Sequence, residues 1–254
     1  LRQNKELPRW LVYDIDHYSA LIEIYHNQNK ELGKKLLFKC INNLKDQKDK
    51  DYIAVSSRIF TSFGNNFPKE EITESLIIKS IEIKEMLSDK PGLARSYGSL
   101  ARMYFNKEPT STKANDSCNK WLTLNKELNV VFGIIMSKNY LAKIYFSLFK
   151  SNKSDITNLD KSKNLYTENI KYIQNKIDDG SKIQIFTSYA DLMEIAKYEK
   201  DEKSYVGYSK ELFNLIKNFG KIRDQFIKDI INKAFVSAFK KGFITKNKIK
   251  EILG

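Results

Sequence analysis

Apolar residues recur three and four positions apart along most of the chain, the spacing that places them on one face of an α-helix. Within this pattern a five-residue motif repeats, starting with Leu or Ile and in most copies ending with an aromatic residue. The copies are Leu21–Tyr25, Ile59–Phe63, Leu100–Tyr104, Leu141–Tyr145, Leu192–Ala196 and Ile231–Phe235. They start 38, 41, 41, 51 and 39 residues apart, so the chain has an internal repeat.

A second amphipathic segment follows each of the first five copies, as at Leu36 to Leu44 and at Tyr166 to Ile177. Two helices with their turns fill a period of about 40 residues. We therefore predict an all-α fold of about five to six antiparallel helix pairs in one domain, residues 1–254. Because the chain begins with Leu1, we expect it to be a fragment of a longer protein. The predicted repeats are 10–47, 50–88, 91–128, 130–178, 181–219 and 221–254.

Polar stretches that often contain Gly or Pro separate these segments, as turns between helices should. In Asp89-Lys90-Pro91-Gly92 the proline lies where a helix can begin without losing a needed donor. The stretch from Ser147 to Asn158 is interpreted as the cause of the 51-residue spacing. A disordered loop is the simpler prediction there, and an insertion that reaches over a binding groove is the alternative.

The third and fourth repeats carry the motif in its clearest form, with Leu100, Ala101 and Tyr104 in one and Leu141, Ala142 and Tyr145 in the other. This pattern resembles the first helix of tetratricopeptide repeats, although the period is nearer 40 than the usual 34. The resemblance implies a right-handed superhelical solenoid whose first helices line a concave surface that binds proteins or peptides. Similar repeats form the sensor regions of bacterial regulators and defence proteins, so we expect a partner-binding part of a larger bacterial signalling, regulatory or defence protein.

Carrying the family's groove positions onto this sequence gives a candidate binding surface. Arginine presents a planar fork suited to carboxylates, and asparagine can clamp a peptide backbone. We hypothesise that the surface holds an acidic side chain or the carboxyl terminus of an extended peptide, the alternative being ordinary solvated or salt-bridged residues. The predicted groove residues are Arg58, Arg95, Arg102, Asn139 and Lys143, with Phe105 and Phe146 at its edge.

The net charge of +13 suggests a second hypothesis, nucleic-acid binding by a basic helical repeat. Only six of the 44 basic residues are Arg, however, and solvated lysine faces explain most of the excess. Proteins that read RNA with helical repeats use selected side chains at fixed positions of every repeat. The equivalent positions here show no regular code and two are acidic, so protein or peptide remains the first prediction. A scaffold or oligomerisation arm is a third.

The residues that could support chemistry form no catalytic pattern in the sequence. The neighbours Asp14, Asp16 and His17 are interpreted as ordinary polar helix residues rather than as metal ligands, because the three do not all share one face. The sequence shows no glycine-rich phosphate loop, no zinc spacing and no recognisable Ser-His-Asp set. We therefore expect no enzyme activity, no cofactor and no metal site.

Cysteine usage and hydropathy favour a cytoplasmic protein. Cys40 and Cys118 lie among apolar residues, so we predict two buried thiols rather than a disulfide. The longest nearly apolar run, Val130 to Met136, is far shorter than the roughly 20 residues of a membrane helix. We expect no membrane partner.

Overall fold

The computed structural model describes residues 7–44, 46–172, 178–218, 229 and 245–247. Every regular element in these ranges is an α-helix, which confirms the predicted all-α fold of consecutive helix pairs. The helices are α1 Arg9–Tyr25, α2 Lys30–Leu44, α3 Lys50–Asn66, α4 Thr73–Met86, α5 Lys90–Lys107, α6 Thr112–Glu127, α7 Val131–Ser151, α8 Ile156–Lys171, α9 Asp179–Glu199 and α10 Glu202–Asn218. The predicted repeat 221–254, with its motif at 231–235, falls almost entirely outside the described residues.

Two compact units make up the chain, where the sequence pattern predicts one continuous domain. Unit 1 comprises residues Leu1–Leu128 and contains α1 to α6, and unit 2 comprises Asn129–Gly254 and contains α7 to α10. Each unit has its own buried apolar side chains. In unit 1 they include Leu37, Ile59 and Phe63, and in unit 2 Ile185 and Tyr166.

Unit 1 has two layers of helices. Consecutive odd-numbered helices contact one another, α1 with α3 and α3 with α5, whereas α2 and α4 each pack between two odd-numbered helices. The helices α2, α4 and α6 therefore cover one side of the odd-numbered layer, and no helix of the described part of unit 1 packs on the other, open side. We call that open side of α1, α3 and α5 the odd-helix face.

Helix starts and close approaches follow from single residues. Asp89 is the N-cap of α5, and its side chain accepts a hydrogen bond from the Gly92 backbone N–H at 2.9 Å, with Pro91 in the first turn. Further along α5, a Cβ atom added to Gly98 would lie 2.8 Å from the ring of Trp121. Glycine at this position therefore lets α5 and α6 approach closely.

The stretch from Ser147 to Asn158 is not a long loop. Helix α7 continues to Ser151, and only Asn152–Asp155 separates it from α8. The helix persists because Phe149 is buried and packs edge-on against Tyr198, with ring centroids 5.8 Å apart. The long repeat spacing arises instead from α7 and α9, which have 21 residues each, together with the seven residues between Lys171 at the end of α8 and Asp179 at the start of α9.

Both cysteines are buried free thiols, as predicted. Burial raises the pKa of Cys40 to about 11 and that of Cys118 to about 12. Within the described part of the chain, no helix combines the length and the apolar character needed to cross a membrane.

Candidate functional site

A line of polar side chains crosses the odd-helix face of unit 1. At one end, the Arg58 guanidinium of α3 lies 3.0 Å from Asp14 Oδ1 of α1. One turn further along both helices, His17 Nε2 and Ser62 Oγ are 2.8 Å apart. These contacts join α1 to α3 through polar groups, whereas the core of unit 1 is apolar.

The line continues from α3 to α5 through a single amide. Asn65 Oδ1 accepts a hydrogen bond from Ser99 Oγ at 2.5 Å and another from Arg102 Nη2 at 2.6 Å. The Arg102 guanidinium also lies 5.9 Å from the ring centroid of Trp121. Arg102 is thus held in place by neutral groups, which position its charge without cancelling it.

The guanidinium of Arg95 has no hydrogen-bond or ion-pair partner among the described residues. Arg95 is exposed and lies two helical turns before Arg102, on the same side of α5. Of the three arginines on the odd-helix face, only Arg58 forms an ion pair with a carboxylate in the part of the chain that the structure describes. The positive charge of this face is therefore concentrated on α5.

A buried ammonium group, that of Lys84, lies beneath the odd-helix face of unit 1. Lys84 of α4 is 2 % exposed, and its Nζ donates to Thr61 Oγ1 at 2.6 Å and to Ser96 Oγ at 2.8 Å. A further hydroxyl, that of Ser80, lies 2.9 Å from Thr61 Oγ1 and donates to the Ser57 carbonyl. No carboxylate of the described residues forms an ion pair with Lys84, and the groups that accept hydrogen bonds from its ammonium are hydroxyls.

Burial, followed by the neighbouring positive charge of Arg95, lowers the pKa of Lys84 to about 8, and Asp89 opposes the shift. At neutral pH most of the ammonium is still charged. It therefore adds to the positive potential around Arg95.

His17, Ser62 and Asp14 together resemble a hydrolytic triad, but lack what acyl transfer requires. His17 Nδ1 is buried without a hydrogen-bond partner and lies 3.8 Å from Asp14 Oδ1, too far for the orienting bond. Ser62 is in the middle of α3, where backbone N–H groups are engaged within the helix and cannot serve an oxyanion. Burial lowers the pKa of His17 and so favours the neutral ring. We interpret this trio as a structural contact.

The predicted groove residue Asn139 lies in the interior of unit 2 and not on an open surface. It is 2 % exposed; its Nδ2 donates to the Gln184 carbonyl at 2.9 Å, and its Oδ1 accepts from Asn169 Nδ2 at 2.8 Å and from Ser188 Oγ at 2.7 Å. Its amide joins α7, α8 and α9. It is therefore committed to the fold and not available to clamp a peptide.

Replacing Asn139 with Ala is expected to lower the free energy of unfolding by about 2 kcal/mol, since it leaves buried polar partners unsatisfied. The matched control is Asn119→Ala, which removes an exposed asparagine of α6 bonded only to Asn115. Chemical denaturation of both variants measures the difference. Equal stability of the two variants would contradict the internal placement of Asn139.

The other predicted groove residues of unit 2 also have partners within the fold. Lys143 Nζ is 3.6 Å from Asp191 Oδ2, and burial raises the pKa of Asp191, with Lys143 opposing the shift. Phe146 packs edge-on against Tyr198 at 5.9 Å. In unit 1, Phe105 is half-buried on α5. The structure thus brings Arg58, Arg95 and Arg102 to one face of unit 1, with Lys143 matched by its own carboxylate in unit 2.

Sequence reasoning missed Ser62, Asn65, Ser99 and Lys84. A usable signal was present, because Arg58, Ser62 and Asn65 are spaced four and three apart on α3, as are Arg95, Ser99 and Arg102 on α5. That spacing aligns polar groups on one helix face.

Comparison with known proteins finds no family model that matches this chain and no curated protein with significant similarity. Among the described residues, no group of three or more His, Cys, Asp or Glu side chains is arranged to hold a metal ion. The interpretation of the odd-helix face therefore depends on its geometry.

Proposed function

We propose that this chain is a non-catalytic helical-repeat module, of the tetratricopeptide type, that binds a protein or peptide on the odd-helix face of unit 1. The observation that carries the proposal is the guanidinium of Arg95, which has no partner among the described residues and shares its side of α5 with Arg102. Unpaired arginines held on packed helices are suited to carboxylates, which they can bind through two parallel hydrogen bonds.

The chemistry of the polar side chains on the odd-helix face indicates the class of ligand. Arg95 and Arg102 favour an anionic group, an acidic side chain or a free carboxyl terminus, and the buried Lys84 adds to this preference. Ser62 and Asn65, which are partly exposed and exposed respectively, place a hydroxyl and an amide alongside, where a peptide backbone can exchange hydrogen bonds. Such a module would act as the ligand-sensing or partner-binding region of a larger bacterial signalling, regulatory or defence protein in the cytoplasm.

Replacing both Arg95 and Arg102 with Ala should reduce peptide affinity about 100-fold, because each charge-assisted bond contributes roughly 1.5 kcal/mol or more. The probe is an array of short random peptides, each present with a free and with an amidated carboxyl terminus. The matched control is Lys113→Ala with Lys126→Ala, which removes the same charge from exposed positions of α6.

Retention of peptides by the wild type and by the control, but not by the arginine variant, supports the proposal. Dependence on the free terminus would identify a carboxyl-terminal ligand. If no peptide is retained but a single-stranded oligonucleotide is, and its binding weakens by orders of magnitude between about 50 and 200 mM salt, the nucleic-acid alternative replaces it. Equal retention by all three proteins would refute the assignment of this face.

A further inference from the structure

Helix α1 exposes a continuous apolar stripe, separate from the line of polar contacts. Ile15, Tyr18, Ile22 and Tyr25 are 48 %, 57 %, 51 % and 64 % exposed, and Val12 adds 42 % at the amino-terminal end. Exposed apolar side chains are ordinary when they are scattered, whereas a contiguous row of them marks a site of interaction. The buried side of the same helix carries Ala20 and Ile24, so α1 is apolar on two sides.

The spacing of the exposed residues is that of a coiled-coil seam. Ile15, Tyr18, Ile22 and Tyr25 are separated by three, four and three positions, which matches alternating a and d positions of a heptad. A helix face with this period is complementary to another helix packed along it, with side chains of each inserted between those of the other.

The stripe is complementary to itself when a second copy runs antiparallel. With the helices centred on Ala20, Ile15 of one copy lies opposite Tyr25 of the other, and Tyr18 lies opposite Ile22. Every contact along the seam is then one isoleucine against one tyrosine, and each contact occurs twice, as two-fold symmetry requires. A parallel arrangement would instead place like residues opposite one another.

The exposed area is sufficient for a specific but modest interface. Two tyrosines and three aliphatic side chains at these exposures present about 500 Å² per copy, hence about 1,000 Å² for a pair, the lower limit of specific interfaces. Beside the seam, Asp14 is in contact with Arg58, Asp16 lies 3.9 Å from Lys39, and Glu23 accepts a hydrogen bond from Asn27.

We infer that the exposed stripe of α1 is a homodimer interface, in which α1 of two copies pack antiparallel about a two-fold axis at Ala20. We expect association in the micromolar range, because small interfaces are typical of weak and transient complexes. The inference is independent of the peptide-binding proposal, because the stripe contains none of the arginines that define it.

Sedimentation velocity of the full chain over a range from about 1 to 500 μM tests the association. We expect a concentration-dependent shift from monomer to dimer for the wild type. Ile22→Glu should weaken dimerisation at least 100-fold, because it places two like charges in an apolar seam. The matched control is Ile78→Glu, the same change at an exposed position of α4, which should dimerise as the wild type does.

Disulfide formation tests the direction of packing. When the Tyr18→Cys and Ile22→Cys variants are mixed, a chain of one should cross-link to a chain of the other, whereas either variant alone should not cross-link. The native thiols do not interfere, because both are buried. A chain that stays monomeric throughout, or a dimer equally sensitive to Ile22→Glu and Ile78→Glu, would overturn the interface. Cross-linking of Tyr18→Cys chains with themselves would overturn the antiparallel arrangement. If Ile22→Glu lowers the helix content, Ile15→Glu provides the same test at a second position.

Discussion

Replacing Phe63 with Ala is expected to lower the free energy of unfolding by about 4 kcal/mol, the largest effect we predict for a single substitution. Phe63 is 0 % exposed, and its ring centroid lies 5.0 Å from that of Phe38 and 5.2 Å from that of Phe67. The ring joins α3 to α2 and to the turn that follows α3. Its removal therefore leaves a cavity between elements that cannot all close over it.

Urea denaturation followed by circular dichroism measures this loss. Met86→Ala is the matched control, since Met86 is 77 % exposed at the end of α4 and its truncation should cost less than about 0.5 kcal/mol. A Phe63→Ala protein as stable as Met86→Ala would show that α3 does not pack as described.

The second large effect is a dependence of stability on pH that originates in Lys84. Its pKa is about 8 in the folded protein and 10.5 in the ordinary, solvated state. Between these values the unfolded chain binds more protons than the folded chain, so the stability of the wild type rises as pH rises. Below pH 8 both states are charged and the full cost of the buried ammonium is present.

Lys84→Met isolates this contribution, because it removes the titrating group while keeping most of its volume. We expect the stability of the wild type to increase by about 3 kcal/mol relative to Lys84→Met between pH 8 and pH 10.5. The remaining lysines and tyrosines titrate in both proteins and cancel in the difference. A difference that does not change with pH would mean that Lys84 is solvated in solution.

Most of the fold could be predicted from the sequence, because repeated helix pairs produce a regular spacing of apolar residues. The three-and-four spacing located five pairs, and Asp89 with Pro91 marked a helix start. The segment from Ser147 to Asn158 was wrongly predicted as a loop because its serines and asparagines were weighed by local propensity. The packing of Phe149 against Tyr198, which keeps the helix intact, is a tertiary contact that local propensity does not contain.

Less of the candidate site could be predicted, for a related reason. Arg95 and Arg102 are found together because both occupy groove positions carried over from the tetratricopeptide repeats, and these positions, seven apart, share a helix face. Asn139 was placed on an open surface because nothing near it in the sequence reveals that Asn169 and Ser188 satisfy its amide. Lys84 could have been recognised as buried, since it continues the apolar face of α4 that contains Ile77 and Ile81.

Alkylation of the two cysteines of unit 1 can be used to measure local opening of the helices around them. Only a thiolate reacts readily with an alkylating reagent, and burial both hides the Cys40 and Cys118 thiols and raises their pKa values. Each thiol therefore reacts only when its surroundings separate, Cys40 with the α1–α2 pair and Cys118 with the α5–α6 pair. The rate of labelling at each cysteine thus measures the rate of local opening at one end of unit 1, without any introduced probe.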